Sequence, residues 1–230
     1  MKRYLITGAS RGIGRAIADK LAGPDRTLLL HGRDREALAK TRESVEAKGG
    51  KTISLCYDLR DPAMVQKLID EAGSSPLDAL INNAGIAVVK PLAEITLDEW
   101  QSSFALNVTA PFLLTQKLLP IMSAGSTIVN ILSIAAKTGF PNWSGYCMSK
   151  FALEGFTQSV REELRPRGIR VVNVYPAATN TEIWNAVEGE WPRAKMLSAK
   201  EIGAAVAYAL SRPGDVAVEN IELKNVSGSL

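Results

Sequence analysis

The feature that most constrains this chain is an alternation. Seven short, largely apolar segments, Arg3–Thr7, Thr27–His31, Thr52–Tyr57, Leu77–Ile81, Ser126–Ile131, Ile169–Tyr175 and Val216–Leu223, read as strands. Between them lie stretches with helical spacing: Arg15–Leu21, Asp34–Lys48, one that starts at Asp61-Pro62, then Leu97–Leu119, Ser144–Arg165 and Ala199–Leu210. Continuously apolar strands are buried on both faces, the habit of a parallel sheet covered by helices on both sides. The pattern predicts an α/β, doubly wound fold. It has no internal repeat and no linker, so residues 1–230 read as one domain.

Composition narrows what such a domain can do. The chain has 230 residues, 46% hydrophobic and 22% charged, enough for a substantial core. A net charge of +3 is too small and scattered for a nucleic-acid partner. No apolar run approaches the ~20 residues that span a bilayer. No leader pattern follows Met1, so a cytoplasmic protein is expected, without membrane attachment. Two cysteines, Cys56 and Cys147, and one histidine, His31, make neither a disulfide framework nor a zinc site. No metal is expected.

Chemistry first appears between the first strand and the first helix. Thr7-Gly8-Ala9-Ser10-Arg11-Gly12-Ile13-Gly14 is a glycine-rich turn in strand–turn–helix context. Such a turn lets backbone approach a diphosphate, and the helix start supplies free N–H groups. This makes the expected fold Rossmann-type, with a seven-stranded parallel sheet. The spacing is G-x-x-x-G-x-G, not G-x-G-x-x-G.

The end of the second strand bears on which dinucleotide is preferred. A carboxylate there would hold a ribose 2′-hydroxyl and repel a 2′-phosphate. The chain instead has His31-Gly32-Arg33, with Arg11 as a second cation in the loop. Guanidinium pairs with phosphate through two parallel hydrogen bonds. NADP(H) is the expected cofactor, with NAD(H) possible. The competing reading is two solvated arginines, with Asp34 neutralising Arg33.

A second constellation lies farther along. Tyr146 and Lys150 stand one helical turn apart on one face. A neighbouring ammonium favours a phenolate, which suits proton transfer at a carbonyl. Ser133 closes the fifth strand, either as a hydrogen-bond partner for a substrate oxygen or as a cap. Asn107 interrupts an apolar helix, Phe104-Ala105-Leu106-Asn107-Val108, where a buried amide needs partners. Asn82-Asn83-Ala84-Gly85 ends the fourth strand, beside the expected cofactor.

Together these residues resemble the classical short-chain dehydrogenase/reductase family. The resemblance runs from Thr7 to about Thr181 and includes Asp58-Leu59 after the third strand. It implies Tyr146 as general acid in carbonyl reduction and base in alcohol oxidation. Lys150 would lower the tyrosine pKa and bind the nicotinamide ribose. Ser133 would orient the carbonyl, and Asn107 would hold a water in a proton relay. Gly8, Gly12 and Gly14 would line the diphosphate, with Ser10, Arg11 and Ile13 in the same loop. Asp58 would accept from the adenine amino group, or else be a turn residue. Asn83, with Ala84 and Gly85, would shape the ribose side.

Pro176-Ala177 stands where the family commonly has Pro-Gly, which restricts backbone beside the nicotinamide. Thr179 and Thr181 are near enough for the carboxamide or diphosphate. The irregular stretch at about 177–197 corresponds to the family's substrate lid. Its Trp184 and Trp191 are either an apolar wall over a carbonyl substrate or packing beneath the lid. The implied activity is hydride transfer between NADP(H) and a small carbonyl or secondary alcohol, by a homodimer or homotetramer.

Overall fold

The helices that begin at Arg35, Pro62, Leu97 and Ala199 each start where a side chain supplies a cap. The computed structural model describes residues 1–228. After β1 (Lys2–Ile6), α1 (Gly12–Leu21) follows the glycine turn and leads to β2 (Arg26–His31). Asp34 opens α2 (Arg35–Glu46) by accepting from the Ala37 amide at 3.0 Å. After β3 (Lys51–Leu55), Asp61 caps α3 (Pro62–Ala72), with proline in the first turn where its missing N–H costs nothing. β4 (Ala79–Asn82) is followed by α4 (Leu97–Phe104), opened by a reciprocal Thr96–Glu99 capping box. Then come α5 (Ala110–Leu118), β5 (Thr127–Ile131), α6 (Ser144–Leu164) and β6 (Arg170–Pro176). The short strands β7 (Thr179–Asn180) and β8 (Leu197–Ser198) bracket an excursion, before α7 (Ala199–Leu210) and β9 (Asn220–Leu223).

Seven strands form one parallel sheet in the order β3-β2-β1-β4-β5-β6-β9. Strand side chains alternate between two cores. Tyr4, Ile6, Leu28 and Leu30 meet α1, α2 and α7 on one face. Leu5, Leu29 and Leu80 meet α3, α5 and the end of α6 on the other. Connections leave β1 and β4 in opposite directions, so a crevice opens beyond their carboxyl ends, the usual place for a ligand in such a sheet.

A polar strip crosses the second face. Asn82, Asn130 and Asn173 stand in register on β4, β5 and β6, all buried. Asn82 donates to Asn130 at 2.9 Å, and Asn130 to Asn173 at 3.3 Å. Asn173 in turn donates to Thr157 and Glu154 of α6, at 2.8 and 3.3 Å.

Two expectations change. The last strand starts at Asn220, not Val216, because the Val216 amide is used in a turn onto Pro213. The helix expected over Leu97–Leu119 contains a π-helical turn at Ala105–Thr109. The cause is Pro111, which has no N–H to offer the Asn107 carbonyl four residues back. The Ala110 amide reaches back five residues, to Ala105.

Candidate active site

The glycine turn is fastened to the β4 end by a small set of bonds. Thr7 Oγ1 accepts the Asn83 and Ala84 amides at 2.9 and 3.0 Å. The Asn83 side chain donates back to the Thr7 and Gly8 carbonyls at 2.8 and 3.2 Å. Gly8 and Gly12 take positive φ, and a Cβ on Gly14 would lie 2.2 Å from the Gly8 carbonyl oxygen. Gly14 therefore permits the helix to approach the strand. It lies behind the turn and does not line the cleft, contrary to the sequence expectation.

His31 completes this scaffold, with a contact that sequence reading did not foresee. Its Nδ1 accepts the Gly8 amide at 3.2 Å, which leaves Nε2 to donate to the Tyr57 carbonyl at 3.0 Å. Burial holds its pKa down at about 4, so the ring is neutral at ordinary pH.

Beyond the turn is a cleft of about 590 Å³. It is lined by Gly8, Ser10, Arg11, Gly12, Ile13 and Arg33, then by Leu59, Asn83, Ala84 and Gly85, and at its inner end by Tyr146, Lys150 and Thr181. These residues fit a dinucleotide. Arg11 at the start of α1 makes no side-chain cap, and no acidic residue occupies the first turn, so the helix start suits an anion. The Ser10 hydroxyl is buried without a partner. A Cβ on Gly32 would fall 1.8 Å from it, so only glycine leaves that hydroxyl room beside Arg33.

Arg33 pairs with Asp58 at 3.7 Å, while Asp34 serves as the α2 cap. Asp58 also binds Arg60 at 3.0 Å, and Arg60 more than any other neighbour holds its carboxyl down at about 2. Asp58 lies off the cleft lining, and its neighbour Leu59 is on it.

Tyr146 stands where this cleft meets a second one of about 170 Å³, lined also by Ser133, Pro176 and Thr179. Ser133 Oγ accepts the Ala135 amide at 3.1 Å and so caps a short turn, while its hydroxyl also faces Tyr146. Thr179 is turned onto the Ala177 carbonyl at 2.9 Å. Ala177 has no positive φ and donates to Leu223 at 2.8 Å, so alanine fits without strain where glycine is usual.

Lys150 is buried, and its ammonium donates to the Ile131 carbonyl at 2.9 Å. Burial away from any carboxylate lowers its pKa to about 8. Desolvation also pushes the Tyr146 phenol up to about 12, against the opposing influence of the nearby Ser133 hydroxyl. The expected lowering of the phenol by Lys150 is not seen, because that ammonium is directed at Ile131 and lies 5.6 Å from the ring centre.

Asn107 occupies the π turn. Its amide donates to the Ile86 carbonyl and to Ser149, both at 2.9 Å, and its Oδ1 accepts from the Ile86 amide at 3.0 Å. The side chain is thus consumed in bracing the Gly85–Ile86 strand end. Its backbone carbonyl is the group that Pro111 leaves without the helical donor.

Sequence reading missed Trp143. Its ring packs edge-on to Tyr146, centroids 5.7 Å apart, and touches Trp184 and Trp191. Only its place one turn before Tyr146 on the same helix start signals this. Trp184 and Trp191 both pack the 177–197 excursion and line the second cleft. Among the described residues no helix is long and apolar enough to cross a membrane.

Known proteins share this fold. Residues 2–191 match the short chain dehydrogenase family model. L-2,3-butanediol dehydrogenase of Corynebacterium glutamicum is 35% identical, over 92% of this chain and 86% of its own. Sepiapterin reductase of Chlorobaculum tepidum is 34% identical, over 98% and 97%. A short chain dehydrogenase from Burkholderia cenocepacia, solved with NADP, superposes with a TM-score of 0.89 at 31% identity, covering 97% of this chain and 96% of that one. The angucycline C-6 ketoreductase LanV, with bound NADP, gives 0.85 at 30%, covering 96% and 93%. The chain belongs to the short-chain dehydrogenase/reductase family of oxidoreductases.

Proposed function

We propose that this protein is an NADP(H)-dependent carbonyl reductase. The observation that carries the reading is Tyr146 at the junction of the two clefts, with Lys150 beside it in one and Ser133 in the other. NADP is the ligand named for the Burkholderia and LanV neighbours, and Arg11, Arg33 and the unpartnered Ser10 hydroxyl suit a 2′-phosphate. The nicotinamide, when bound, supplies the hydride or takes it back.

The chain's own residues handle the proton. The half-buried phenol is protonated at neutral pH, so Tyr146 is set to give its proton to a carbonyl oxygen as the adjacent carbon is reduced. The product is an alcohol. Ser133 holds the same oxygen. Lys150 supplies positive charge beside the phenolate left behind, and then returns the proton. That proton comes from a water held on the Asn107 carbonyl, which Pro111 leaves without its helical donor, not on the occupied side chain. In the opposite direction, suggested by the butanediol dehydrogenase relative, Tyr146 takes the proton from an alcohol. The 177–197 excursion acts as the substrate lid.

Exposed Trp100, Phe104, Phe112 and Phe151 on α4–α6 support assembly of like chains into a dimer or tetramer. A cytoplasmic setting suits the free Cys56 and Cys147.

The test is nicotinamide absorbance over a panel of ketones, aldehydes and secondary alcohols, with NADPH and NADH titrated separately. Turnover with NADPH, bound more tightly than NADH, is expected. A clear preference for NADH would replace this reading with an NAD-dependent dehydrogenase. Bound cofactor without turnover of any compound would leave a nucleotide-binding protein.

A further inference from the structure

The second cleft has a chemical character of its own. No charged side chain lines it. Two charges of the excursion are turned away from it. Arg193 bonds the Thr181 carbonyl at 2.7 Å and Asn185 at 2.9 Å, and Glu182 faces the dinucleotide cleft. Aliphatic side chains such as Leu132, Ile134 and Ile183 line part of it, and an aromatic group of Phe140, Trp143, Trp184 and Trp191 lies beside Tyr146.

The rings form a wall, not a cage. Trp184 and Trp191 have centroids 4.7 Å apart, and Trp143 lies 5.7 and 6.1 Å from them. Those are direct contact distances, so no cation fits between the faces as it would in an aromatic cage. Trp184 is anchored by its Nε1 on the Thr179 carbonyl at 2.9 Å. Among the described residues the Nε1 of Trp191 has no partner, so no hydrogen bond fixes that indole. The wall reaches the reaction centre directly, because Trp143 packs on Tyr146.

We propose that this cleft takes an uncharged carbonyl compound whose body is an aromatic ring, laid on the Trp143–Trp184–Trp191 wall with its carbonyl at Tyr146 and Ser133. The inference rests on the reductase reading and deepens it. An apolar ring gains both burial and oriented ring–ring contact there, whereas a carboxylate or ammonium would lose water without finding an opposite charge.

The experiment compares NADPH-dependent reduction of acetophenone, 2-octanone, acetoacetate and betaine aldehyde. Acetophenone should exceed 2-octanone in kcat/KM by about tenfold, the size of one good ring–ring contact, and the two charged compounds by more. Trp191→Leu should raise KM for acetophenone by about tenfold, with NADPH titration reporting an intact fold. Independently of turnover and of any variant, acetophenone should quench the indole fluorescence of the unaltered protein saturably, and acetoacetate should not. Equal or better turnover of 2-octanone, acetoacetate or betaine aldehyde overturns the inference while leaving the reductase reading intact. So does a KM unmoved by Trp191→Leu, or absence of saturable quenching. Saturable quenching without reduction of any carbonyl would support the aromatic site and sink the reductase reading.

Discussion

The two clefts that meet at Tyr146 are built by opposite means. The dinucleotide cleft is a backbone structure, with Thr7, Asn83 and His31 bonding the peptide groups of the glycine turn. The proposed substrate cleft is a side-chain structure, in which indole rings pack on one another and few hydrogen bonds are made. The first fixes one geometry for one ligand, because a peptide hydrogen bond tolerates little displacement. The second can be recut by replacing rings, without touching the machinery that binds the coenzyme. One scaffold can thus keep its cofactor while its substrates change.

The sharpest way to break this comparison is at the junction. Tyr146→Phe keeps the ring that packs on Trp143 and removes the proton. It should cost about 10²–10⁴-fold in kcat while NADPH affinity changes by less than about threefold (well under 1.4 kcal/mol), as steady-state kinetics and titration would read. Loss of both together would show that the clefts are not separable.

The next largest effect isolates the backbone-built side. The neutral His31 has a folded pKa of about 4 against 6.5 when unfolded, so the unfolded chain gains a proton first as pH falls. Its contribution is complete above pH 6.5 and lost progressively as pH falls to about 4. The loss approaches roughly 3 kcal/mol. Urea melts at several pH values should show that slope in the parent and a reduced one in His31→Asn. Equal slopes would remove the histidine from the scaffold.

Arg33→Ala should weaken NADPH by about tenfold, one charge-assisted pair, and leave NADH within about twofold, well below that same tenfold step. Equal losses would show that Arg33 only braces Asp58. The smallest effect belongs to Ala177→Gly. Its backbone already lies in an unstrained region, so added chain freedom should lower stability by about 0.5–1 kcal/mol in a thermal melt. A marked gain in turnover would mean that alanine does restrict the site.

The same contrast explains what was legible in the sequence. The strands, the glycine turn and the Tyr146–Lys150 spacing are local patterns, and the structure places them close to where period and composition predict. Trp143 was not legible, because an aromatic ring at a helix start looks the same whether it meets solvent, core or substrate. The loss of Val216–Glu219 from the last strand has a similar origin. An apolar run shows β-propensity, but pairing at a sheet edge depends on the neighbour. Gly14 reads as a lining residue in the motif, while its close approach to Gly8 is visible only in three dimensions. Helical spacing implies that Lys150 acidifies the Tyr146 phenol, but in the fold that ammonium turns to the Ile131 carbonyl and desolvation raises the phenol instead. The signal for the Asn107 carbonyl was present, in Pro111 four residues later, and it needed the hydrogen-bond ladder to give it meaning.

The asparagine strip through β4, β5 and β6 has a consequence for the enzyme's tuning. It ends on Thr157 and Glu154 of α6, and Tyr146 stands in the first turn of α6. The rotation of that helix about its own axis, and with it the aim of the phenol, is therefore keyed to the middle of the sheet. A replacement as remote as Asn130 acts like a shim under a lever: it tilts the far end while the near end stays in place.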